Sequence, residues 1–257
     1  MIRIAHLSDI HFGDENAAAV AAAAERLRGA PPTLTVISGD ITRWGERNEF
    51  AAAKAWIETL PAPVFVTPGN HDAPYIAWVE RIFRPFARYE RAFGAAPAQR
   101  FRAPGVSVWG VNTARGAQAR LNWSKGQISQ AQVEGVIGDV RAGDGVRIVV
   151  CHHPLLEMEG APMTGRVWGG EAAARAFAGA GVDLVLTGHV HAPFVLAYAF
   201  GDGRTYAVGA GTLSSRERGA AAGFNEIDIE KAAIRVAALS WTGSHFEPSR
   251  TWSMDRR

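Results

Sequence analysis

Five apolar segments of this chain end in Asp, Asn or His side chains, and this feature constrains the fold more than any other. The segments are Met1 to Leu7, Leu34 to Ile37, Pro63 to Val66, Val146 to Val150 and Val182 to Leu186. Short apolar runs bounded by turn residues predict buried strands. Side chains beyond the carboxyl ends of strands in an open α/β sheet converge at one edge. The pattern therefore predicts an α/β fold with a polar site at a sheet edge.

The histidines are concentrated at these strand ends. Six of the eight lie there, namely His11, His71, His152, His153, His189 and His191. Imidazole combined with carboxylate oxygen suits Zn, Fe, Mn or Co better than Ca or Mg alone, and the single cysteine argues against a cysteine-based structural zinc site. These residues are therefore expected to form a catalytic metal centre.

The segment Thr67 to Asp72 carries three of these polar side chains in consecutive positions. A strand that runs into Pro68-Gly69 must turn sharply, because glycine adopts backbone angles that are closed to other residues. Taken alone, Asn70-His71-Asp72 also fits an ordinary polar turn, since Asn and Asp are common turn formers. The other four strand ends favour the metal site.

Five motifs, in this order, resemble the calcineurin-like metallophosphoesterase superfamily. They read Asp9-Ile10-His11, Gly39-Asp40, Gly69-Asn70-His71-Asp72, His152-His153-Pro154 and Gly188-His189-Val190-His191. The resemblance covers roughly residues 2 to 215. It implies a four-layer α/β/β/α sandwich of two mixed β-sheets flanked by helices, in a single domain over residues 1–257.

The resemblance also implies the roles of the site residues around two metal ions, which would be Mn, Fe, Zn or Co. One ion would be held by Asp9, His11 and His191, and the other by Asn70, His152 and His189. Asp40 would bridge them. His71 would stand beside the metals, contacting the phosphate or protonating the leaving oxygen. Asp72 or nearby carbonyls would accept hydrogen bonds from the second nitrogen of the metal-bound imidazoles.

The expected activity is hydrolysis of a small phosphodiester by a hydroxide that bridges the metals, because the motifs look like the bacterial cyclic-nucleotide and glycerophosphodiester phosphodiesterase branch. A phosphomonoesterase and a lipid-linked or nucleotide pyrophosphohydrolase are alternatives on the same metals, although the lipid-linked enzymes carry Arg where this chain has His71. A noncatalytic scaffold is a further alternative. Such scaffolds lack parts of the metal shell, which is complete in this sequence.

Segment 73–94 is a possible helical cap. Ile76, Val79, Phe83 and Phe86 recur at helical spacing, while Arg81, Arg84, Arg88 and Arg91 form a second stripe that Pro85 interrupts. The stripe is expected to be a solvated basic face over an apolar one. Its alternative is contact with anionic substrate, a membrane surface or a partner.

Other candidates for the substrate site lie in loops. Arg115 follows a strand and Arg216 lies in a hydroxyl-rich turn, and either guanidinium could contact phosphate oxygens. Trp123 is expected to pack rather than to stack on substrate. The loop from Leu155 to Gly170 is expected to shape the substrate pocket.

The remaining features bound the setting of the protein. A formal net charge of +2 does not favour specific nucleic-acid binding. The lone Cys151 is expected to be a buried, inert thiol, which together with the lack of a signal-peptide pattern predicts a reducing, cytoplasmic location. The strands beyond His191 are expected to form the second sheet, and the tail from Gly243 is expected to be a surface arm.

Overall fold

Strands and helices alternate through most of the chain, and strands dominate its carboxyl-terminal part. The computed structural model describes residues 1–61, 63–95, 100–140, 145–157 and 166–257. The first elements are β1 (Ile2–Leu7), α1 (Ala17–Gly29), β2 (Leu34–Ile37), α2 (Arg47–Ile57), β3 (Val64–Val66), α3 (Trp78–Phe83), α4 (Ala87–Phe93), β4 (Arg100–Ala103) and β5 (Val106–Gly110). They are followed by α5 (Gln130–Val140), β6 (Val146–Val150), α6 (Gly170–Gly179), β7 (Leu184–Thr187), β8 (Phe194–Ala197), β9 (Tyr206–Gly209), β10 (Gly223–Ile229), β11 (Ala233–Trp241) and β12 (Phe246–Asp255).

The strands form two six-stranded mixed sheets. The first sheet has the order β12-β11-β10-β1-β2-β3, and the second has the order β4-β5-β6-β7-β9-β8. Strands β1, β2 and β3 are mutually parallel, as are β5, β6, β7 and β9. The first sheet therefore has a parallel half that ends at β3 and an antiparallel half, whereas the second sheet has a parallel centre with one antiparallel strand at each edge.

Three apolar clusters define four layers. The central cluster contains Ile4 of the first sheet and Ile148 of the second, both fully buried, so the two sheets pack face to face. Helices α1 and α2 cover the outer face of the first sheet, and α5 and α6 cover the outer face of the second. The α/β/β/α sandwich expected from the sequence is confirmed. None of the described helices is long and apolar enough to cross a membrane.

The carboxyl-terminal strands differ from the expectation. Only β8 and β9 join the second sheet, whereas β10 pairs antiparallel with β1 and extends the first sheet. The residues after Gly243 are not a surface arm, because β12 pairs with β11 along its whole length. Beyond it, Arg257 reaches the second sheet and donates hydrogen bonds to Asp183 and Asp202.

Segment 73–94 forms two short helices, α3 and α4, which break at Pro85 as predicted. The prediction of a solvated basic face is wrong, because Arg81 and Arg88 are buried while Arg84 and Arg91 are exposed. The apolar residues of this segment show the opposite of the expectation, with the side chains of Ile76, Val79 and Phe83 exposed. Half of the loop from Leu155 to Gly170, whose predicted role was to shape the pocket, lies outside the described residues.

Candidate metal centre

The carboxyl ends of parallel strands from both sheets meet at one edge of the sandwich. Asp9 and His11 follow β1, Asp40 follows β2, and Asn70 follows β3 of the first sheet. His152 follows β6 of the second sheet, while His189 and His191 follow β7. Hydrogen bonds join the two groups, since the His189 amide donates to Asp9 Oδ2 (2.8 Å) and His152 Nδ1 donates to the Ser38 carbonyl (2.9 Å). The strand ends therefore form one site.

The backbone at this edge is unusual. Among the described residues, the non-glycine positions with positive φ are Asp9, His11, Asp40, His189 and His191, with φ between 49° and 68°. All five belong to the metal-ligand set expected from the sequence. A side chain with a Cβ enters this region at a cost, and such strain is concentrated at functional sites. The local backbone thus turns these side chains toward a common point.

Two glycines make the convergence sterically possible. A Cβ on Gly69 would lie 2.2 Å from Asp40 Oδ1, and one on Gly188 would lie 1.8 Å from the Ser8 hydroxyl oxygen. Neither contact could be tolerated, so these two loops require glycine to approach the neighbouring strand ends.

His11 and His191 present two lone pairs to each other. Their Nδ1 atoms face the carbonyls of Thr42 (3.3 Å) and Arg216 (2.7 Å), which only accept hydrogen bonds, so each neutral ring carries its proton on Nδ1. The two Nε2 atoms lie 3.3 Å apart, and His191 Nε2 lies 3.1 Å from Asp9 Oδ1. Three electron-pair donors that face one another in this way fit a shared cation.

Asp40 stands between the two halves of the site. Its Oδ2 lies 3.9 Å from His11 Nε2 and 3.2 Å from His152 Nε2. One carboxylate is thus close to an imidazole from each predicted ligand group, which is the placement that a bridging ligand requires. The expected bridging role of Asp40 agrees with this geometry.

Unsatisfied buried atoms support two metal positions. Among the described residues, Asp9 Oδ1 and Asn70 Oδ1 are buried without a hydrogen-bond partner, and the contact of buried His152 Nε2 is the ion pair with Asp40 Oδ2 at 3.2 Å. An unpaired buried polar atom is costly, and native structures rarely keep one without a reason. All three belong to predicted ligands and are donors that Zn, Fe, Mn or Co accept. The residues present therefore fit a pair of such ions.

Burial and neighbouring charges together shift the pKa values of the site residues. Burial alone would raise the pKa values of Asp9 and Asp40, but the adjacent histidines hold both below the usual range. Burial lowers the pKa of His11 and of His189 to about 3, so both rings are neutral and free to bind metal. Burial would also lower the pKa of His152, but Asp40 and Asp9 outweigh it and raise that pKa to about 9.

Comparison with known proteins decides the family. The model of the calcineurin-like phosphoesterase family matches residues 2–193. The chain is a calcineurin-like phosphoesterase. Membership in this family supports a metal-dependent phosphoester hydrolase with two metal ions.

Curated relatives of this phosphoesterase match only a short part of it. It is 34% identical over 80 residues to glycerophosphodiester phosphodiesterase GpdQ of Enterobacter lignolyticus, and the match covers 27% of the chain and 29% of the relative. It is 36% identical over 59 residues to the probable GpdQ of Arcobacter nitrofigilis, which covers 23% of the chain and 20% of that relative. The matches therefore span less than a third of either relative.

Solved structures share the fold across the whole chain. A dimetal phosphatase from Danio rerio superimposes with a TM-score of 0.72 at 11% identity, covering 99% of this chain and 98% of that one. The purple acid phosphatase PPD1 from yellow lupin (Lupinus luteus) seeds gives 0.71 at 12% identity, covering 99% and 54%. At these identities the likeness shows the fold alone.

Among the surroundings of the phosphoesterase site, Asp72 does not take the role expected of it, and the carbonyls named as its alternative do. Its carboxylate accepts hydrogen bonds from the amides of Thr42 (2.9 Å) and Gly69 (2.8 Å) and from the Thr42 hydroxyl (2.9 Å), rather than from a metal-binding imidazole. Backbone carbonyls orient His11, His152 and His191 instead. Asp72 therefore fixes the loop after β2 against the loop after β3.

His153 groups spatially with His152 and His189, but both of its ring nitrogens are engaged. Nε2 donates to the Ser124 carbonyl (2.8 Å), and Nδ1 pairs with the Thr113 hydroxyl (2.9 Å). No lone pair is left for a metal. His153 instead anchors the loop that contains Ser124.

His71 lies beside the predicted ligands with one nitrogen fixed. Its Nδ1 donates to the Arg43 carbonyl (2.7 Å), which leaves Nε2 on the open side, 3.4 Å from an Arg216 guanidinium nitrogen. Arg216 also pairs with Asp14 (3.4 Å). The predicted contact of Arg216 with phosphate stays a prediction. The position of Arg216 next to His71 is consistent with such a contact.

Arg115 and Arg218 are two further arginines near this edge. Arg115 donates to the Asn112 and Ala114 carbonyls and to Gln132, so its guanidinium braces the loop after β5 against α5. None of these partners belongs to the metal cluster, and the predicted phosphate contact of Arg115 gains no support. Arg218 was missed by the sequence reasoning. It is half-buried, donates to the His189 carbonyl (3.3 Å), and follows Arg216 by two positions, which is the signal that could have marked it.

Proposed function

We propose that this phosphoesterase hydrolyses small phosphodiesters. The observation that carries the proposal is the convergence of predicted ligand atoms around Asp40. Asp9 Oδ1 and Asn70 Oδ1 are buried without a hydrogen-bond partner among the described residues, and His152 Nε2 lies 3.2 Å from Asp40 Oδ2. The preference for diesters is supported by His71 and by the curated relatives, whose names are glycerophosphodiester phosphodiesterases.

The residues around the phosphate would have separate roles in binding and catalysis. When bound, the two metals would neutralise the phosphoryl oxygens and lower the pKa of the attacking water. Asp40 and Asp9 would set the metal positions. His71, oriented by the Arg43 carbonyl, would present Nε2 to the departing oxygen and hold its proton there. Arg216 and Arg218 place two cations at the rim, where they would orient the anionic ester.

Phosphomonoesters and nucleotide or lipid-linked diphosphates remain alternative substrates on the same metals. The test is the ratio of turnover on bis(4-nitrophenyl) phosphate to turnover on 4-nitrophenyl phosphate with protein reconstituted with Mn. We expect the diester to be preferred. A preference for the monoester would replace the proposal with a phosphatase, and a metal-free, inactive protein after Mn addition would favour a scaffold.

The proposed cellular compartment rests on the properties of the single cysteine. Burial raises the pKa of the Cys151 thiol to about 12, so this thiol is unreactive and needs no redox partner. We propose a cytoplasmic location, which fractionation of the source cells would test. Contact of segment 73–94 with a membrane surface stays a proposal, although two of its four arginines are buried.

A further inference from the structure

A cavity of about 520 Å³ opens directly beside the metal centre. Asn70 and His71 form its inner end. Tyr75 and Trp78 line one wall, on the segment that enters α3, and Leu121 and Trp123 line the other, on the loop between β5 and α5. A substituent that extends from a metal-held phosphate past His71 would enter this cavity.

The walls are apolar and unusually exposed. The exposed fraction is 66% for Trp78, 56% for Tyr75 and 37% for Trp123, so none of these rings is a core residue. Trp123, which the sequence predicted to pack rather than to stack on substrate, is thus partly open to the cavity. Large aromatic side chains left open beside a catalytic centre are costly to hydrate and are typical of sites that bind a ligand.

The two walls are held at a fixed separation by Arg81. This buried guanidinium donates to the Ala73 carbonyl (3.0 Å) on one side and to the Gly116 carbonyl (2.9 Å) on the other. It also lies 5.5 Å from the centre of the Tyr75 ring, whose other neighbour is Trp44 at 4.7 Å. The Tyr75 ring is therefore positioned before any ligand arrives.

The far end of the second wall is anchored to the metal centre itself. Ser124 lines the cavity, and its carbonyl accepts the hydrogen bond from His153 Nε2 (2.8 Å). His153 adjoins the predicted ligand His152. The loop that carries Leu121 and Trp123 is thus fixed relative to the metal ligands by a buried histidine, which explains why His153 has no free nitrogen.

We propose that this cavity is the leaving-group subsite and takes a planar aromatic substituent of the phosphodiester. The inference rests on the proposed function and deepens it. The water oxygen forms the new P–O bond and gives up a proton. The P–O bond to the aromatic-bearing substituent breaks, and its electron pair stays on the departing oxygen. That oxygen takes the Nε2 proton of a His71 imidazolium, which is left neutral and is reprotonated through solvent by the proton that the water released. A glycerol substituent would leave the aromatic walls uncovered.

The binding test compares three phosphate monoesters as inhibitors of bis(4-nitrophenyl) phosphate hydrolysis by the Mn-loaded protein. They are 2-phenylethyl phosphate, 2-cyclohexylethyl phosphate and ethyl phosphate. Stacking on an aromatic side chain is worth about 1–3 kcal/mol, which corresponds to roughly 5- to 150-fold in affinity. We expect the phenyl ester to bind at least about tenfold more tightly than the ethyl ester, with the cyclohexyl ester between them.

Variants separate the cavity from the surrounding surface. Trp78→Ala should remove most of the phenyl preference, Trp78→Phe should keep much of it, and Trp123→Ala should weaken it. The matched control is Phe83→Ala, because Phe83 is an exposed apolar residue of the same helix that does not line the cavity. Equal inhibition by the phenyl and ethyl esters, or a preference that survives both Trp78→Ala and Trp123→Ala, would overturn the inference.

A product assay and a second inhibitor comparison complete the test. Methyl 2-phenylethyl phosphate should release 2-phenylethanol, whereas release of methanol would remove the leaving-group assignment. Adenosine 5′-phosphate and 2-phenylethyl phosphate should both inhibit more strongly than ribose 5-phosphate, and the tighter of the two identifies a nucleoside or a simpler aryl source. If the protein hydrolyses no ester, the proposed function fails, and calorimetric titration of the same monoesters into Mn-loaded protein decides the subsite separately.

Discussion

Both carboxylate oxygens of Asp40 contact other residues of the site. Its carboxylate accepts a hydrogen bond from the His71 amide through Oδ1 (2.8 Å), while Oδ2 faces the imidazoles of His11 and His152. It is 2% exposed and flanked by a left-handed backbone. One side chain therefore links the predicted proton donor to both predicted metal positions.

Replacing Asp40 by Ala should empty both metal positions. We expect the metal content of the purified variant to fall toward zero and turnover to fall to background, because the bridging oxygen and its charge are both lost. Metal analysis by mass spectrometry, together with the diester assay, measures this. Asp255→Ala, at an exposed position of β12, is the matched control. A variant that keeps both metals and its rate would refute the bridging role.

Replacing His71 by Ala should separate chemistry from metal binding. The variant is expected to retain both ions and to lose roughly 10²–10⁴-fold in turnover of the diester, the range typical of a positioned acid or base. The loss should be smaller for leaving groups that need no proton, such as 4-nitrophenolate. If the variant instead loses metal, His71 is a ligand, which its proximity to His11 and Asp40 would allow.

His152 predicts how metal binding depends on pH. In the metal-free protein burial lowers its pKa, but Asp40 and Asp9 outweigh burial and bring the pKa to about 9, so the ring is protonated at pH 7.5. A metal must displace that proton, and metal affinity should therefore rise as the pH rises toward about 9. Calorimetric titration of Mn in buffers of different ionisation enthalpy should show release of about one proton. A heat that is independent of the buffer would contradict this.

At the scale of elements, the strands near the site were predictable because each is buried and ends in polar residues. Leu34–Ile37 and Val146–Val150 begin and end where the sequence pattern placed them. The pairing of β10, β11 and β12 was not predictable, because local periodicity does not reveal which sheet a strand joins. Strand β12 is largely polar and exposed along one side, so its sequence resembles a surface segment.

The arginines of segment 73–94 show a second limit of prediction from sequence. A helical stripe of basic residues normally predicts a solvated face. Here Arg88 lies in the interior, where it pairs with Glu46 (2.8 Å) and Glu80 (2.7 Å) and donates to the Gly45 carbonyl. Gly45 and Glu46 lie outside segment 73–94, and spacing within that segment cannot disclose them.

Replacing Arg88 by Ala should loosen the attachment of α3 and α4 to the start of α2. Loss of a buried cation costs 3–5 kcal/mol when its partners are fully buried, but both carboxylates here are partly exposed, so we expect about 2 kcal/mol. Urea denaturation measures the free energy of unfolding. Arg91→Ala, an exposed arginine one turn along, should change it by less than about 0.5 kcal/mol. Equal losses in the two variants would contradict the interior role of Arg88.

At the scale of the whole molecule, the predicted metal positions lie where the two sheets meet. Asp9, Asp40 and Asn70 come from the first sheet, and His152, His189 and His191 come from the second. The central apolar core packs the sheet faces, whereas the site ties their edges. This convergence followed from the strand-end rule before any coordinates were known, since the carboxyl ends of parallel strands must meet.

Removing the metals should therefore destabilise the fold as a whole. A ligand at 100 times its Kd contributes about 2.7 kcal/mol to the free energy of unfolding for each site. Denaturation with Mn and with EDTA should differ by at least this amount. The Asp40→Ala variant should show no such difference. A wild-type protein that is equally stable with and without metal would show that the ions do not join the sheets.

The left-handed backbone at five metal ligands has a consequence for how this family can diverge. Each of these positions holds a side chain in a conformation that glycine would adopt at little cost. A descendant that no longer needed catalysis could accept glycine there and gain stability at each step. Asp and His at these five positions therefore carry a backbone cost that metal binding would offset, and glycine at any of them would relieve that cost only by removing a predicted ligand.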